Sequence, residues 1–123
     1  LLCGAALVGA VTPAGASGAE SGGDAIIRSG DCSGSADWKL KAKARDGGYE
    51  VEYEIDSNSR GQAWRYTLRQ NGVVISQGTR TTQGPSGSFS VERRAPNTAG
   101  ADTFVGTATN LRTGQSCRGT LTV

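Results

Sequence analysis

Apolar and polar side chains alternate along most of the chain after position 37, which is the pattern of β-strands that bury one face. In the two clearest segments, from Trp38 to Arg45 and from Glu50 to Asp56, every second residue is charged. Further alternating segments begin at Trp64, Phe89 and Asp102. Because no window shows a helical repeat, the pattern predicts an all-β protein.

Glycine-containing turns separate these segments and predict how the strands pair. Gly47-Gly48 predicts a two-residue hairpin turn. This turn sets four oppositely charged pairs on one face: Arg45 with Glu50, Lys43 with Glu52, Lys41 with Glu54, and Lys39 with Asp56. Asn71-Gly72 predicts a second hairpin, in which Arg80 lies opposite Ala63. The hairpins indicate an antiparallel arrangement.

Strands and turns recur at intervals of roughly ten residues, which is typical of sandwiches and small barrels. We expect a seven-stranded antiparallel β-sandwich, with a small closed barrel as the main alternative. The run Trp64-x-Tyr66-x-Leu68, followed by Asn71-Gly72 and by Asn97 to Ala108, resembles strands C and F of immunoglobulin-like and fibronectin-type domains. The whole chain resembles short secreted actinobacterial proteins of unknown function. The resemblance implies an immunoglobulin-like domain over residues 32–123 and carries no function with it.

Residues 1–16 are uncharged and mostly apolar, and they end in Ala14-Gly15-Ala16. This pattern predicts a secretory signal peptide cleaved after Ala16, with Ala19 as the second choice. The sequence begins with Leu and has no basic region before the apolar run, so we expect the start of the signal peptide to be missing. The run is too short to span a membrane. Acylation of Cys3 is the rival interpretation, but Leu2 precedes Cys3 where lipoproteins have a small residue.

The mature chain is expected to begin with a Gly/Ser-rich leader, residues 17–31, that ends in a short strand or extended arm. Two cysteines, Cys32 and Cys117, remain after signal cleavage and lie near the two ends of the predicted domain. In an exported protein two cysteines predict one disulfide. A redox-active or metal-binding pair would need a closer spacing such as C-x-x-C, which these two residues do not have.

The composition limits the chemistry, because none of the 123 residues is a histidine. A Ser-His-Asp triad and mixed Cys/His zinc sites are excluded, and we expect no cofactor, no metal and no catalytic residue. The carboxylates Glu50, Glu52, Glu54 and Asp56 could serve a small hydrolase or bind calcium. The predicted pairing gives each a cationic neighbour, which favours a solvated face over catalysis.

The charges are unevenly distributed along the chain, although the net charge is only +2. After position 58 every basic residue is an arginine, and Glu92 and Asp102 are the only acidic residues there. Arg65, Arg69 and Arg80 are predicted to share one outward face. Arginine recognises phosphate and carboxylate groups, so this face is a candidate anion-binding site. The alternative is that the arginines only keep the protein soluble.

Nucleic-acid binding is disfavoured, because the net charge is small and no exposed aromatic run accompanies the arginines. The sequence therefore predicts a secreted, non-catalytic binding or structural module whose ligand is unknown. The expected partner is an unknown extracellular protein or an anionic polymer. The first alternative is a module that binds anionic cell-wall or extracellular polymers through its arginine face. The second alternative is an enzyme, a small carboxylate-dependent hydrolase.

Overall fold

The computed structural model describes residues 25–123, which form eight β-strands joined by turns. The predicted signal peptide and most of the predicted leader lie outside the described residues. The strands are β1 (Ala25–Asp31), β2 (Asp37–Arg45), β3 (Gly48–Asp56), β4 (Ala63–Gln70), β5 (Val73–Thr81), β6 (Ser88–Pro96), β7 (Thr103–Asn110) and β8 (Ser116–Thr122).

The strands form two four-stranded antiparallel sheets, with the orders β1-β2-β3-β6 (sheet A) and β5-β4-β7-β8 (sheet B). Since none of the described strands pairs into both sheets, the protein is a β-sandwich and not the closed barrel considered as an alternative. The prediction of seven strands is wrong by one. The additional strand is β1, formed by the end of the predicted leader, which pairs along β2 from Ala25 to Asp31.

The core lies between the two sheets and is built from the alternate apolar residues of their strands. Tyr53 of sheet A packs so closely on Gly106 of sheet B that a Cβ on this glycine would lie 2.7 Å from the tyrosine ring. Tyr49 meets Phe104 edge to face, with ring centroids 5.9 Å apart. The largest fully buried side chains are Trp64, Tyr53, Phe104, Leu40, Ile55, Leu68, Leu121 and Val51.

Cys32 and Cys117 form the predicted disulfide, with Cα atoms 4.3 Å apart. Cys32 follows β1 in sheet A, and Cys117 lies in β8 of sheet B, so the bridge joins the two sheets at one side of the sandwich.

Trp38 packs at the same side between two glycines, one from each sheet. A Cβ on Gly119 of β8 would lie 2.3 Å from the Trp38 ring, and one on Gly30 of β1 would lie 2.9 Å from it. Only glycine therefore leaves room for the indole at these two positions.

The first hairpin turns one residue earlier than the sequence suggested, at Asp46-Gly47. Both residues have positive φ, 52° and 78°, as a type I′ turn requires, and Asp-Gly is among its favoured pairs. The pairing of β2 with β3 is consequently shifted by two residues, so Lys39 faces Glu54, and Asp56 faces Asp37. A shift of two keeps every side chain on its predicted face.

The second hairpin turns at Asn71-Gly72 as predicted, but its pairing changes further along the strands. A β-bulge shifts the register between Leu68 and Arg69. The predicted partner of Arg80, Ala63, lies opposite Thr81 instead, and Arg80 lies opposite Trp64. A shift of one residue moves a side chain to the other face of its sheet.

Candidate polyanion-binding face

The outer face of sheet B presents arginines among threonines. In β4 the side chains of Trp64, Tyr66 and Leu68 are buried between the sheets. Arg65 and Arg69 lie at the intervening positions and therefore point outward. We call this outer surface the arginine–threonine face; its residues are Arg65, Thr67, Arg69, Val74, Gln77, Thr79, Thr103, Val105, Thr107, Thr109, Ser116, Arg118, Thr120 and Thr122.

Strand pairing arranges these side chains in rows that run across the sheet. One row consists of Thr79, Arg65, Thr109 and Ser116. The next row consists of Gln77, Thr67, Thr107 and Arg118. Hydroxyl groups therefore lie on both sides of Arg65 and on one side of Arg118, so one ligand can contact both kinds of group there. Arg69 instead lies between Val74 and Val105.

The three arginines are widely and evenly spaced. With about 3.3 Å per residue along a strand, the Cα atoms of Arg65 and Arg69 lie roughly 13 Å apart. Arg118 lies two strands from β4, so its Cα is roughly 12 Å from each of the other two at about 4.8 Å per strand. A ligand that contacts all three must extend over most of the sheet.

The arginine–threonine face contains no acidic residue. Within residues 25–123, no carboxylate lies within 4.0 Å of the guanidinium groups of Arg65, Arg69 or Arg118; the four ion pairs found there involve other residues. The three cations are thus available to an external anion. A depression of about 180 Å³ lies beside Arg65 and is also lined by Gln77 and Thr79.

Arg80 does not belong to this face, contrary to the prediction. It lies opposite the buried Trp64, and its guanidinium carbon is 5.8 Å from the centroid of the Tyr66 ring, on the inner side of β5. The cause is the bulge after Leu68. A register that is counted outward from the two-residue turn assumes regular pairing and so does not include a bulge. Arg118, which the sequence did not single out, occupies the outer face instead. Alternation with the buried Cys117 and Leu121 was the signal that could have identified it.

The outer face of sheet A has a different electrostatic character, because most of its cations are paired with anions. Lys39 contacts Glu54 at 3.3 Å and Lys41 contacts Glu52 at 3.4 Å. Arg45 bonds diagonally to Glu50 at 3.1 Å. Three of the four carboxylates considered for a hydrolase are therefore held by cations.

The fourth, Asp56, lies in a row of three aspartates. Asp31 faces Asp37, and Asp37 faces Asp56. This row lines a depression of about 480 Å³, together with Trp38 and the Lys39–Glu54 pair. Within residues 25–123, no group of three or more acidic or cysteine side chains is arranged to hold a metal ion.

A buried carboxylate, Asp102, holds the turn before β7 rather than forming part of either outer face. It accepts hydrogen bonds from the hydroxyl and the N–H of Thr98, from Asn71 at 3.0 Å and from Gln70 at 3.1 Å. The Thr98 hydroxyl is the main reason that the pKa of Asp102 falls below its ordinary value of 3.8, although burial opposes the shift. Burial also raises the pKa of the Tyr53 hydroxyl far above its usual range.

Comparisons with known proteins do not assign the chain to a family. No family model, no curated protein and no solved structure matches the chain. No helix among residues 25–123 is long and apolar enough to cross a membrane.

Proposed function

We propose that the protein is an exported, non-catalytic binding module that holds hydroxyl-bearing anionic polymers on its arginine–threonine face. The observation that carries this proposal is the absence of any carboxylate from a face that presents Arg65, Arg69 and Arg118. On the outer face of the opposite sheet, most of the cations are paired with carboxylates of the same protein.

The ligand class follows from the groups that the face offers. A guanidinium group forms forked, charge-assisted hydrogen bonds with carboxylates and phosphates. Threonine hydroxyls both donate and accept hydrogen bonds, and so suit the hydroxyl groups of a sugar or polyol. Aromatic side chains are absent from the face as defined above, which disfavours stacked nucleobases and the stacked neutral sugars of an aromatic platform. An acidic polysaccharide combines the two favoured features.

The spacing of the arginines favours a polymer over a small anion. No single carboxylate or phosphate can span Cα separations of roughly 12 to 13 Å. A chain with repeated negative charges can meet two or three arginines at once, and each additional contact becomes intramolecular after the first.

The proposed fold family is the immunoglobulin-like sandwich. With β1 set aside, sheet A has the order β2-β3-β6 and sheet B contains β4-β7-β8. These orders correspond to strands A-B-E and C-F-G of immunoglobulin-like domains. In this assignment Trp64 lies in strand C and Phe104 in strand F, and β5 is an additional strand beside C.

Export is supported by the disulfide, since such bonds persist in oxidising compartments. The apolar segment at residues 1–16 supports the same location. The absence of catalysis is supported by the ion pairs of Glu50, Glu52 and Glu54, because an ionised, neutralised carboxylate is a poor general acid.

The proposal can be tested with three immobilised polymers: polygalacturonate, the same polymer with its hydroxyls acetylated, and dextran. We expect the purified protein to bind polygalacturonate at low ionic strength and to be released by salt. The acetylated polymer keeps the carboxylates and should bind more weakly, while dextran should not retain the protein. Equal binding to dextran, or no binding to polygalacturonate, would contradict the proposal. Equal binding to the acetylated polymer would contradict the role of the threonines.

A further inference from the structure

Arg69 differs from Arg65 in its cross-strand neighbours, although both arginines project from the same face of β4. Arg69 lies between Val74 of β5 and Val105 of β7. Directly opposite residues of paired strands share a face, so valine methyl groups flank the Arg69 side chain on both sides. The corresponding neighbours of Arg65 are threonines. Valine and threonine are both β-branched and similar in size. The two arginine positions therefore differ in chemistry and not in shape.

Arg69 is also the least exposed of the three arginines on the arginine–threonine face. It is half-buried, whereas Arg65 and Arg118 are exposed. Val74 is 40% exposed and Val105 is half-buried, so both valines still present apolar surface beside the cation. The ion pairs found within residues 25–123 do not include Arg69. A charge that is partly withdrawn from water interacts more strongly with an anion than a fully solvated charge does.

A guanidinium group between two apolar side chains is complementary to an acid that has a methyl group next to its carboxylate. The carboxylate accepts forked hydrogen bonds from the guanidinium group. The methyl group can then contact a valine, which removes apolar surface from water on both partners. A uronic acid carries its carboxylate on a sugar ring among hydroxyl groups, and so it leaves the valines in contact with water.

We propose that Arg69, Val74 and Val105 form a subsite for a sugar acid whose carboxylate and methyl group are bonded to the same carbon, as in a lactyl ether. Arg65, with its threonine neighbours, receives an anion that is surrounded by hydroxyl groups. The Cα atoms of the two arginines are roughly 13 Å apart, so one polymer can occupy both positions. This inference rests on the proposed function, because it specifies which acid the arginine–threonine face selects.

The test compares two dextrans that carry equal numbers of carboxylates. One is carboxymethyl dextran, and the other is its lactyl-ether analogue, which has one additional methyl group beside each carboxylate. Isothermal titration calorimetry at one low salt concentration gives the affinity of the purified protein for each polymer. We expect the lactyl-ether polymer to bind roughly two- to fourfold more tightly, which is the gain from burying one methyl group. The backbone and the charge are the same in both polymers, so the difference reports the methyl group.

Exchanging the neighbours of the two arginines should change this preference in opposite directions. The double variant Val74→Thr, Val105→Thr keeps β-branched residues at both positions, and it should bind the two polymers equally. The matched double variant Thr79→Val, Thr109→Val gives Arg65 the same apolar neighbours, and it should increase the preference for the lactyl ether. Circular dichroism of both double variants checks that the fold is intact.

The single variant Arg69→Ala leaves the valines in place, and it should weaken binding of both polymers and remove the preference. Equal affinity of the unsubstituted protein for the two polymers overturns the subsite but leaves the proposed function standing. A preference that persists in the variant Val74→Thr, Val105→Thr, or in Arg69→Ala, also overturns the subsite alone. Failure to bind either polymer contradicts the proposed function itself, and the subsite with it.

Discussion

The side-chain amide of Asn71 donates a hydrogen bond to the carboxylate of Asp102 at 3.0 Å, while its carbonyl oxygen accepts the Thr103 N–H at 2.9 Å. Asn71 also occupies the first position of the β4–β5 turn with a φ of 51°. One residue therefore makes the turn of one hairpin and fastens it to the start of β7. A polar network therefore holds this end of the sandwich, beside the apolar contact of Phe104 with Tyr49.

Replacing Asp102 with Asn should destabilise the protein, because an amide in that place cannot accept all the hydrogen bonds that Thr98, Asn71 and Gln70 donate. We expect the midpoint of thermal unfolding at pH 7 to fall by about 5 °C or more. Thr103→Ser on the neighbouring outer face is the control and should change the midpoint little.

The same carboxylate predicts a pH dependence. Because its pKa is lower in the folded protein than the ordinary 3.8, the ionised form stabilises the fold above that pH. The contribution is lost as the pH falls through the folded-state pKa. The stability difference between the unsubstituted protein and Asp102→Asn should therefore narrow below pH 3.8 in thermal melts. A constant difference from pH 7 to pH 2 contradicts this account.

Gly119→Ala should disturb the packing of Trp38, since a Cβ at this position would lie 2.3 Å from the indole ring. Overpacking of this kind costs about 1–3 kcal/mol of unfolding free energy. A double-mutant cycle in urea with Trp38→Leu measures the coupling: the loss should be much smaller when the indole is absent. An equal loss in both backgrounds would show that the glycine is required for another reason.

Removing the disulfide with Cys32→Ala and Cys117→Ala should lower the unfolding free energy by about 2–4.5 kcal/mol, because the bridge closes most of the domain into one loop. Chemical denaturation of the double variant, compared with the oxidised parent, measures this loss. A double variant as stable as the parent would contradict a stabilising role for the bridge.

Asp37→Asn should stabilise the protein, which few substitutions do. Asp37 is paired between Asp31 and Asp56, so the amide removes repulsion on both sides. A gain of about 0.2–1 kcal/mol is expected at low ionic strength, and it should shrink in salt. Glu54→Gln, which removes a carboxylate paired with Lys39 at 3.3 Å and facing the uncharged Ser90, should have the opposite sign. Destabilisation by Asp37→Asn would mean that the aspartate row has a favourable partner.

Alternation allowed the faces of the strands to be predicted. Arg65 lies on its predicted face because it alternates with buried residues in β4. Glu52 lies on its predicted face because the pairing of the first hairpin was wrong by two residues, which is an even number. The error in the second hairpin was a single residue, caused by the bulge after Leu68, and it moved Arg80 to the inner side. Bulges depend on packing and twist that local turn signals do not encode.

The arginine–threonine face could be only half predicted, since its two arginines on β4 are local neighbours while Arg118 comes from β8. Arg118 joins them because β7 lies between β4 and β8 in sheet B. Such an order depends on which sheet each strand enters, and the spacing of turns does not give it. Strand β1 was predicted only as a short strand or extended arm at the end of the leader, because it is stabilised by pairing with β2 and has only one apolar pair of its own.

The most direct test of polymer binding compares two triple variants with the same net charge. One replaces Arg65, Arg69 and Arg118 with alanine, and the control replaces Arg28, Arg80 and Arg93, which lie away from the arginine–threonine face. Titration with polygalacturonate at several salt concentrations gives the affinity and its salt dependence. For the first variant we expect binding to be nearly abolished and the salt slope to fall by roughly two to three, while the control keeps both close to the parent values. Equal losses in the two variants would contradict the account, because the binding would then follow net charge and not this face.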